Sequence, residues 1–399
     1  MITIASYLHR NVLNDIILRW MHDEVHPADA SVISRIITFN NVYVCRYMQA
    51  LSQKIFSELH PGDLQTRKTL RKGDLKDIVV SHYPYRSPRV HELIRLYHAR
   101  PEDYYRETPF QAVLYFARRG GVTEYIGSCR IKRVRRLAEK AARKIIDRIF
   151  SDIKQRAETL ADERARNLGI PREQLVTAPE QMTEEFLRAE SRLLEDLRSS
   201  RPFQWRDPVM INDVAGIKLV LEDARQDQLF SLLDRMEDCE VVEEERHRGK
   251  YNATNILLRY RPSREDILAR PLGDTTLAFM RAKGLSDEEA DRAFTDFVRQ
   301  GEESVHVEII LSNYEDMMES EIGRSMHEER IIEQRRQQQY RGCLARNIEY
   351  LMVYLFTFPA SSQQQLTELP IKLWNRYLPD YFDEVIKDLF RIPRNDLLE

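Results

Sequence analysis

Residues 211–222 read Ile-Asn-Asp-Val-Ala-Gly-Ile-Lys-Leu-Val-Leu-Glu. Val214 to Leu221 is apolar apart from Gly216 and Lys218, the pattern of a buried strand. Asp213 stands at its start, where a carboxylate meets solvent and can meet a metal. Gly216 has no side chain, so another backbone or a ligand can come close there. A second apolar run, Val-His-Val-Glu-Ile-Ile-Leu at 305–311, sets Glu308 among aliphatic residues. An ionised carboxylate on a buried strand is costly unless it is paired or binds metal. These two runs are expected to be neighbouring strands, with Asp213 and Glu308 sharing a divalent ion. The competing reading leaves each carboxylate in an ordinary strand end or ion pair.

Working upstream, residues 124–144 predict a short strand ending near Ser128 or Cys129, then a helix from about Arg135. Arg130 and Lys132 fall between them, and Lys140 lies in the helix. From 118 to 144 there are ten basic residues against two acidic ones. Basic side chains at a strand-to-helix turn suit a polyphosphate, which needs cations and free backbone N–H groups. A solvated basic helix face or an RNA-contacting surface fits the same composition.

The spacing Arg130-x-Lys132-x7-Lys140 resembles the ATP-binding loop of RelA/SpoT-type alarmone synthetases. Ile211-x-Asp213-x-x-Gly216-x-Lys218 resembles their I-x-D-x-x-G-x-R strand, with lysine for arginine. Gly249 to Asn255 is a weaker echo of their G-Y-x-S-x-H segment, and Glu308 to Leu311 of their E-[IV]-Q-[IL]-R-T strand. Met326-His327-Glu328-Glu329 follows, as a similar stretch does in that family. The resemblance spans about 124–330. It implies an α+β, nucleotidyltransferase-like core with a mixed sheet of about five strands. It also implies Mg²⁺-dependent transfer of pyrophosphate from ATP to a ribose 3′-hydroxyl, releasing AMP. In that scheme Asp213 and Glu308 hold the metal and act in catalysis. Arg130, Lys132, Lys140 and Lys218 bind nucleotide phosphates, and Tyr251 stacks on a base. Where the family has polar or cationic acceptor residues, this chain has Ala253, Asn255, Ile310 and Ser312. GDP and GTP are therefore expected to be poor acceptors, with another nucleotide or an RNA 3′ end in their place.

The rest of the chain is that of a globular protein with a net charge of −3 over 399 residues, which marks no nucleic-acid binder by global field. Four scattered cysteines, Cys45, Cys129, Cys239 and Cys343, read as reduced thiols of a cytoplasmic protein. No signal peptide or membrane span is evident, so no membrane partner is expected. Residues 1–117 read as a mostly helical accessory domain, and 118–330 as the synthetase-like core. That core carries helical insertions at about 145–205, an antiparallel hairpin, and at 262–300. Ser286 with Glu289 is a capping-box pattern there. His22-Asp23 resembles the metal pair of the family's hydrolase domain, but a surface helix pair explains it better. The stretch 313–340 predicts a long helix in which Glu319 and Glu321 lie on a solvated face or add ligands. The aromatic tail, 331–399, reads as a helical extension, either core or an interface for a homo-oligomer or regulatory protein. A catalytically inactive nucleotide-binding sensor, or a protein-interaction module on the same fold, is the alternative function.

Overall fold

The computed structural model describes residues 2–82, 87–119, 121–199, 209–249, 252–323, 326–337 and 340–392. The chain opens with β1 (Ile2–Ile4), α1 (Arg10–Met21), α2 (Asp29–Leu59), β2 (Leu64–Arg71), α3 (Lys72–Ser81) and α4 (Pro88–Ala99). It continues through β3 (Pro109–Arg119), β4 (Val122–Ile131), α5 (Val134–Asn167), α6 (Pro179–Arg198), β5 (Val209–Ile211) and β6 (Ala215–Val220). Then come α7 (Gln226–Arg235), β7 (Cys239–His247), β8 (Ala253–Tyr260), α8 (Arg264–Leu268), α9 (Asp274–Ala282), α10 (Asp287–Gln300) and β9 (Val305–Ser312). The last elements are α11 (Tyr314–Ile322), α12 (Met326–Arg336), α13 (Cys343–Thr357) and α14 (Tyr381–Phe390).

The architecture is mixed α+β. Seven strands form one sheet in the order β2-β3-β4-β6-β9-β8-β7, and β1 pairs with β5 separately. β6 and β9 run parallel, as neighbours, while the other pairs in the sheet are antiparallel. The expectation of about five strands is corrected to seven; the first 117 residues are mostly helical, as expected, but also carry strands of the sheet. The extra strands are β2 and β3. β2 is an edge exposed on both faces, so it shows no apolar alternation. β3 is covered on both faces, so its run Ala112–Val113–Leu114–Tyr115–Phe116–Ala117 shows none either. The boundary expected near 117 falls inside β3, and one buried core runs from Ile2 to Leu389.

One face of the sheet is sealed by α2. Ile33, Ile36, Tyr43, Tyr47, Leu51, Ile55 and Leu59 recur at helical spacing and are buried. Phe56 stacks on Tyr115 with ring centroids 4.1 Å apart, and Ser52 and Tyr115 hydroxyls meet at 2.7 Å. On the opposite face α3, α4 and α11 cover one part. Leu75, Ile78, Val79, Leu93, Tyr97, Met317 and Met318 form a second core with Leu114, Phe116 and Val220. Further along that face Arg130, Asn255, Leu257, Glu308 and Ile310 stay half-exposed.

The helical hairpin over 145–205 is present as α5 and α6. Arg156 meets Asp196 at 2.8 Å and Arg164 meets Glu185 at 3.4 Å, which sets the two helices antiparallel. The capping box at Ser286 and Glu289 is formed. The long helix expected over 313–340 is instead two, α11 and α12, with Gly323 between them. The aromatic tail is core: Leu351, Met352, Leu355, Phe356, Phe358 and Phe382 are buried, and α13 packs on α5.

Gly127 shows how tightly the sheet lies on α2. Its φ is +151°, and a Cβ there would stand 2.2 Å from the Lys218 carbonyl oxygen and 2.8 Å from the Phe56 ring. Neither the backbone oxygen nor the stacked ring can retreat cheaply. We expect Gly127→Ala to lower the unfolding free energy by roughly 2–4 kcal/mol in urea denaturation, whereas Gly62→Ala, with open space around it, costs about 1 kcal/mol from its positive φ alone.

Candidate functional site

The three central strands bring distant segments into one row. Arg130 of β4, Gly216 of β6 and Glu308 of β9 are lateral partners. Because the middle position has no side chain, its two neighbours reach each other above it. Arg130 Nη2 lies 3.4 Å from Glu308 Oε2. A Cβ on residue 216 would stand 3.1 Å from the Glu308 carbonyl oxygen and 3.6 Å from Oε2. Gly216 therefore permits the carboxylate–guanidinium contact.

The strand ends add a second group. The Lys132 backbone N–H donates to the Val214 carbonyl at 2.8 Å, which holds the residue after β4 beside the residue before β6. Lys132 Nζ then sits 3.0 Å from Asp213 Oδ2. Lys140, in the second turn of α5, donates to the same oxygen. Burial opposes ionisation of Asp213, but Lys132 and Lys140 outweigh it and hold the carboxyl well below the usual range. Lys132 is pulled down to about 8, by burial first and then by the Arg130 charge, with Asp213 only partly restoring it.

Lys218 goes elsewhere. Its ammonium is 3.1 Å from Glu321 Oε1, whose other oxygen takes Lys72 at 2.7 Å. Lys72 also lies 3.5 Å from Glu328 Oε1, and Lys76 lies 3.5 Å from Glu328 Oε2. The Lys72 ammonium faces the Phe110 ring at 4.7 Å. Burial lowers the Lys218 and Lys76 pKa values, and Glu321 and Glu328 offset part of that. Glu321 is thus buried in a network, not on the solvated face expected of it, while Glu319 pairs with Arg89 at the surface. Lys72 and Lys76 carried a signal in the sequence: they sit four apart on the helix that presents Leu75, Ile78 and Val79.

Among the other expected site positions, Tyr251 lies outside the described residues. Its neighbour Asn252 bonds Asp316 Oδ1 at 2.9 Å. Ile310 adjoins Lys218 and Asn255 in the strand register. Asn255 Nδ2 meets His247 Nε2 at 3.2 Å, and its Oδ1 is buried with no hydrogen-bond partner. Ser312 is buried under the second core. His22 caps α1, and Asp23 pairs with Lys372 at 2.7 Å. No group of three or more His, Cys, Asp or Glu side chains gathers as a metal site among the described residues. A concavity of about 660 Å³ lies apart from these groups, between His9, Arg35 and α10. No helix of the described residues is long and apolar enough to cross a membrane. Comparisons with protein-family models, characterised proteins and solved structures returned no match.

The buried network yields a stability test. Glu321→Ala leaves Lys72 and Lys218 buried beside a missing partner, and we expect a loss of roughly 3–5 kcal/mol. Lys54→Ala, which breaks the exposed pair with Asp238, should cost under about 1 kcal/mol in the same urea titration.

Proposed function

We propose that the open part of the sheet binds ATP and transfers its pyrophosphoryl group to the ribose 3′-hydroxyl of a nucleotide or RNA 3′ end, releasing AMP, on a nucleotidyltransferase-like fold related to the RelA/SpoT synthetases. One observation carries this reading. Arg130, Lys132, Lys140, Asp213 and Glu308 are spread over 179 positions of sequence, yet join in two contiguous ion-paired groups. Three cations and two carboxylates at one strand-to-helix junction suit a phosphate chain and the metal it brings.

The donor set fits Mg²⁺. That ion prefers hard oxygen ligands and is commonly held by one or two carboxylates, with substrate phosphates and water completing its shell. Asp213 and Glu308 supply two such carboxylates, both half-exposed and each beside a cation. When bound, Mg²⁺ supplies charge neutralisation on the transferred group. Lys132 and Lys140 leave Asp213 for the ATP phosphates, and the first turn of α5 adds backbone N–H groups that no side chain caps. Arg130 orients Glu308, which accepts the proton of the attacking hydroxyl. Lys218, on the same face of β6 but paired with Glu321, is assigned no phosphate contact. Asn255 Oδ1, buried and unpartnered, offers an acceptor to a base beside the apolar wall of Ile310. Ile310, which offers no hydrogen bond to a base edge or a phosphate, is the reason GDP and GTP are expected to be poor acceptors.

A nucleotide-binding sensor without turnover is the second reading. It is favoured by the direct pairing of both carboxylates with the very cations that would hold phosphate. AMP release on incubation with ATP, Mg²⁺ and bulk tRNA or mixed nucleotides separates the two. We expect Asp213→Asn to abolish that release, by about three orders of magnitude or more, while the chain still folds, with a lowered urea midpoint because Lys132 and Lys140 lose their charged partner. Wild-type turnover in this variant would remove Asp213 from the chemistry.

Lys132 sets a pH test. With its pKa at about 8, half of the free protein carries the proton at that pH, and phosphate binding restores it. ATP affinity should therefore fall as pH rises through 8, and binding at pH 8 should take up about half a proton. Calorimetry in buffers of different ionisation enthalpy reads this uptake, and Lys132→Met should abolish it. Stability runs the other way. From about 8 to the ordinary lysine value the unfolded chain holds a proton that the folded chain does not, so this lysine's contribution rises with pH.

A further inference from the structure

The sheet ends in two unlike edges. β2 forms one, and its exposed residues include Arg67, Lys68 and Arg71, with no acidic residue in the strand. β7 forms the other, and its exposed residues include Glu240, Glu243, Glu244 and Glu245 against a single exposed arginine, Arg246. Both strands are long for edges, at eight and nine residues, and each bears one irregularity, near Leu70 and Val242. That leaves regular pairing on the inner side over 64–69 and 243–247. A regular edge offers an unused row of N–H and C=O groups to another strand. Apolar side chains accompany both rows: Leu70 is 70 % exposed and Val242 41 %.

Charge decides what can dock. Two β2 edges would set arginine and lysine against arginine and lysine, and two β7 edges would set glutamate against glutamate; like charges directly opposite are destabilising. The basic edge of one molecule and the acidic edge of another complement each other. We infer that β2 of one copy of this chain pairs with β7 of a second copy, antiparallel, with Arg67 and Lys68 opposite Glu244 and Glu243, extending the sheet from molecule to molecule. The contact is heterologous, since each copy uses two different surfaces. It leaves one edge of each sign free at the ends of any assembly, so growth proceeds past the dimer unless the rotation closes a ring. The ion pairs that now occupy these strands include Arg71 with Glu107, Glu244 with Arg246 and Glu240 with Arg259, all at the surface, and they give way readily.

Two variants test this in the full chain. One carries Arg67→Glu and Lys68→Glu, so that both edges are acidic. The other carries Glu243→Lys and Glu244→Lys, so that both are basic. All four positions are exposed, and circular dichroism confirms that the fold is kept. In sedimentation velocity the wild type should form concentration-dependent species beyond the dimer, weakened roughly tenfold or more between low and high ionic strength. Each variant alone should be monomeric, and an equimolar mixture of the two should associate again, because opposite edges then meet. A monomeric wild type at low ionic strength would overturn the proposal. So would variants that associate as the wild type does, or a mixture that stays monomeric.

Discussion

The parallel pairing of β6 with β9 is the constraint on which the site rests. It sets Gly216 beside Glu308, while the antiparallel pairing of β6 with β4 sets Gly216 beside Arg130. A slip of one residue in either pairing would turn Glu308 or Arg130 into the α2-facing core, where no partner waits. The register is held from that other side. Ile217, Leu219, Ile309 and Leu311 point to α2 and are fully buried, so a slip would also bring aliphatic side chains out to solvent. Packing on one face thus fixes the chemistry on the other.

The charges fall into two populations with different costs. Around Asp213 the cations are partly exposed and can be given up to a ligand. Around Glu321 and Glu328 the side chains are nearly sealed from water, and desolvation makes any loss of a partner expensive. The second group joins α3, β6, α11 and α12, none of which is adjacent in sequence to all the others. It fixes the helices of the second core over their part of the sheet, and so determines where the half-exposed part begins.

Much of the centre was legible from single strands. The runs at 214–221 and 305–311 are buried on one or both faces and carry their own pattern, and the basic segment ahead of α5 stands out by composition. The pairing of β6 with β9 followed from two isolated carboxylates in apolar runs. The β2–β3 side of the sheet was not legible. β2 meets water on both faces and β3 on neither, so the alternation that betrays a strand is missing from both, by opposite causes. The role of Lys218 was obscured for a related reason. A lysine in an apolar strand invites a ligand, and its actual partner, Glu321, lies 103 residues on, in a helix whose acidic composition suggested solvent. Gly323 ended α11 where composition alone ran on into α12.

Helix α5 starts at the site and leaves it. Lys140 is six residues from its first residue, and the helix runs for 34, about 50 Å in all. It is a lever whose short arm bears the Asp213 contact and whose long arm ends at exposed Leu168. A tilt of about 5° about its base moves the far tip by roughly 4 Å but Lys140 by under about 1 Å. Geometry of this kind reduces motion. Collisions or partners at the tip reach the site attenuated some fivefold in amplitude, at the scale on which one hydrogen bond is made or lost.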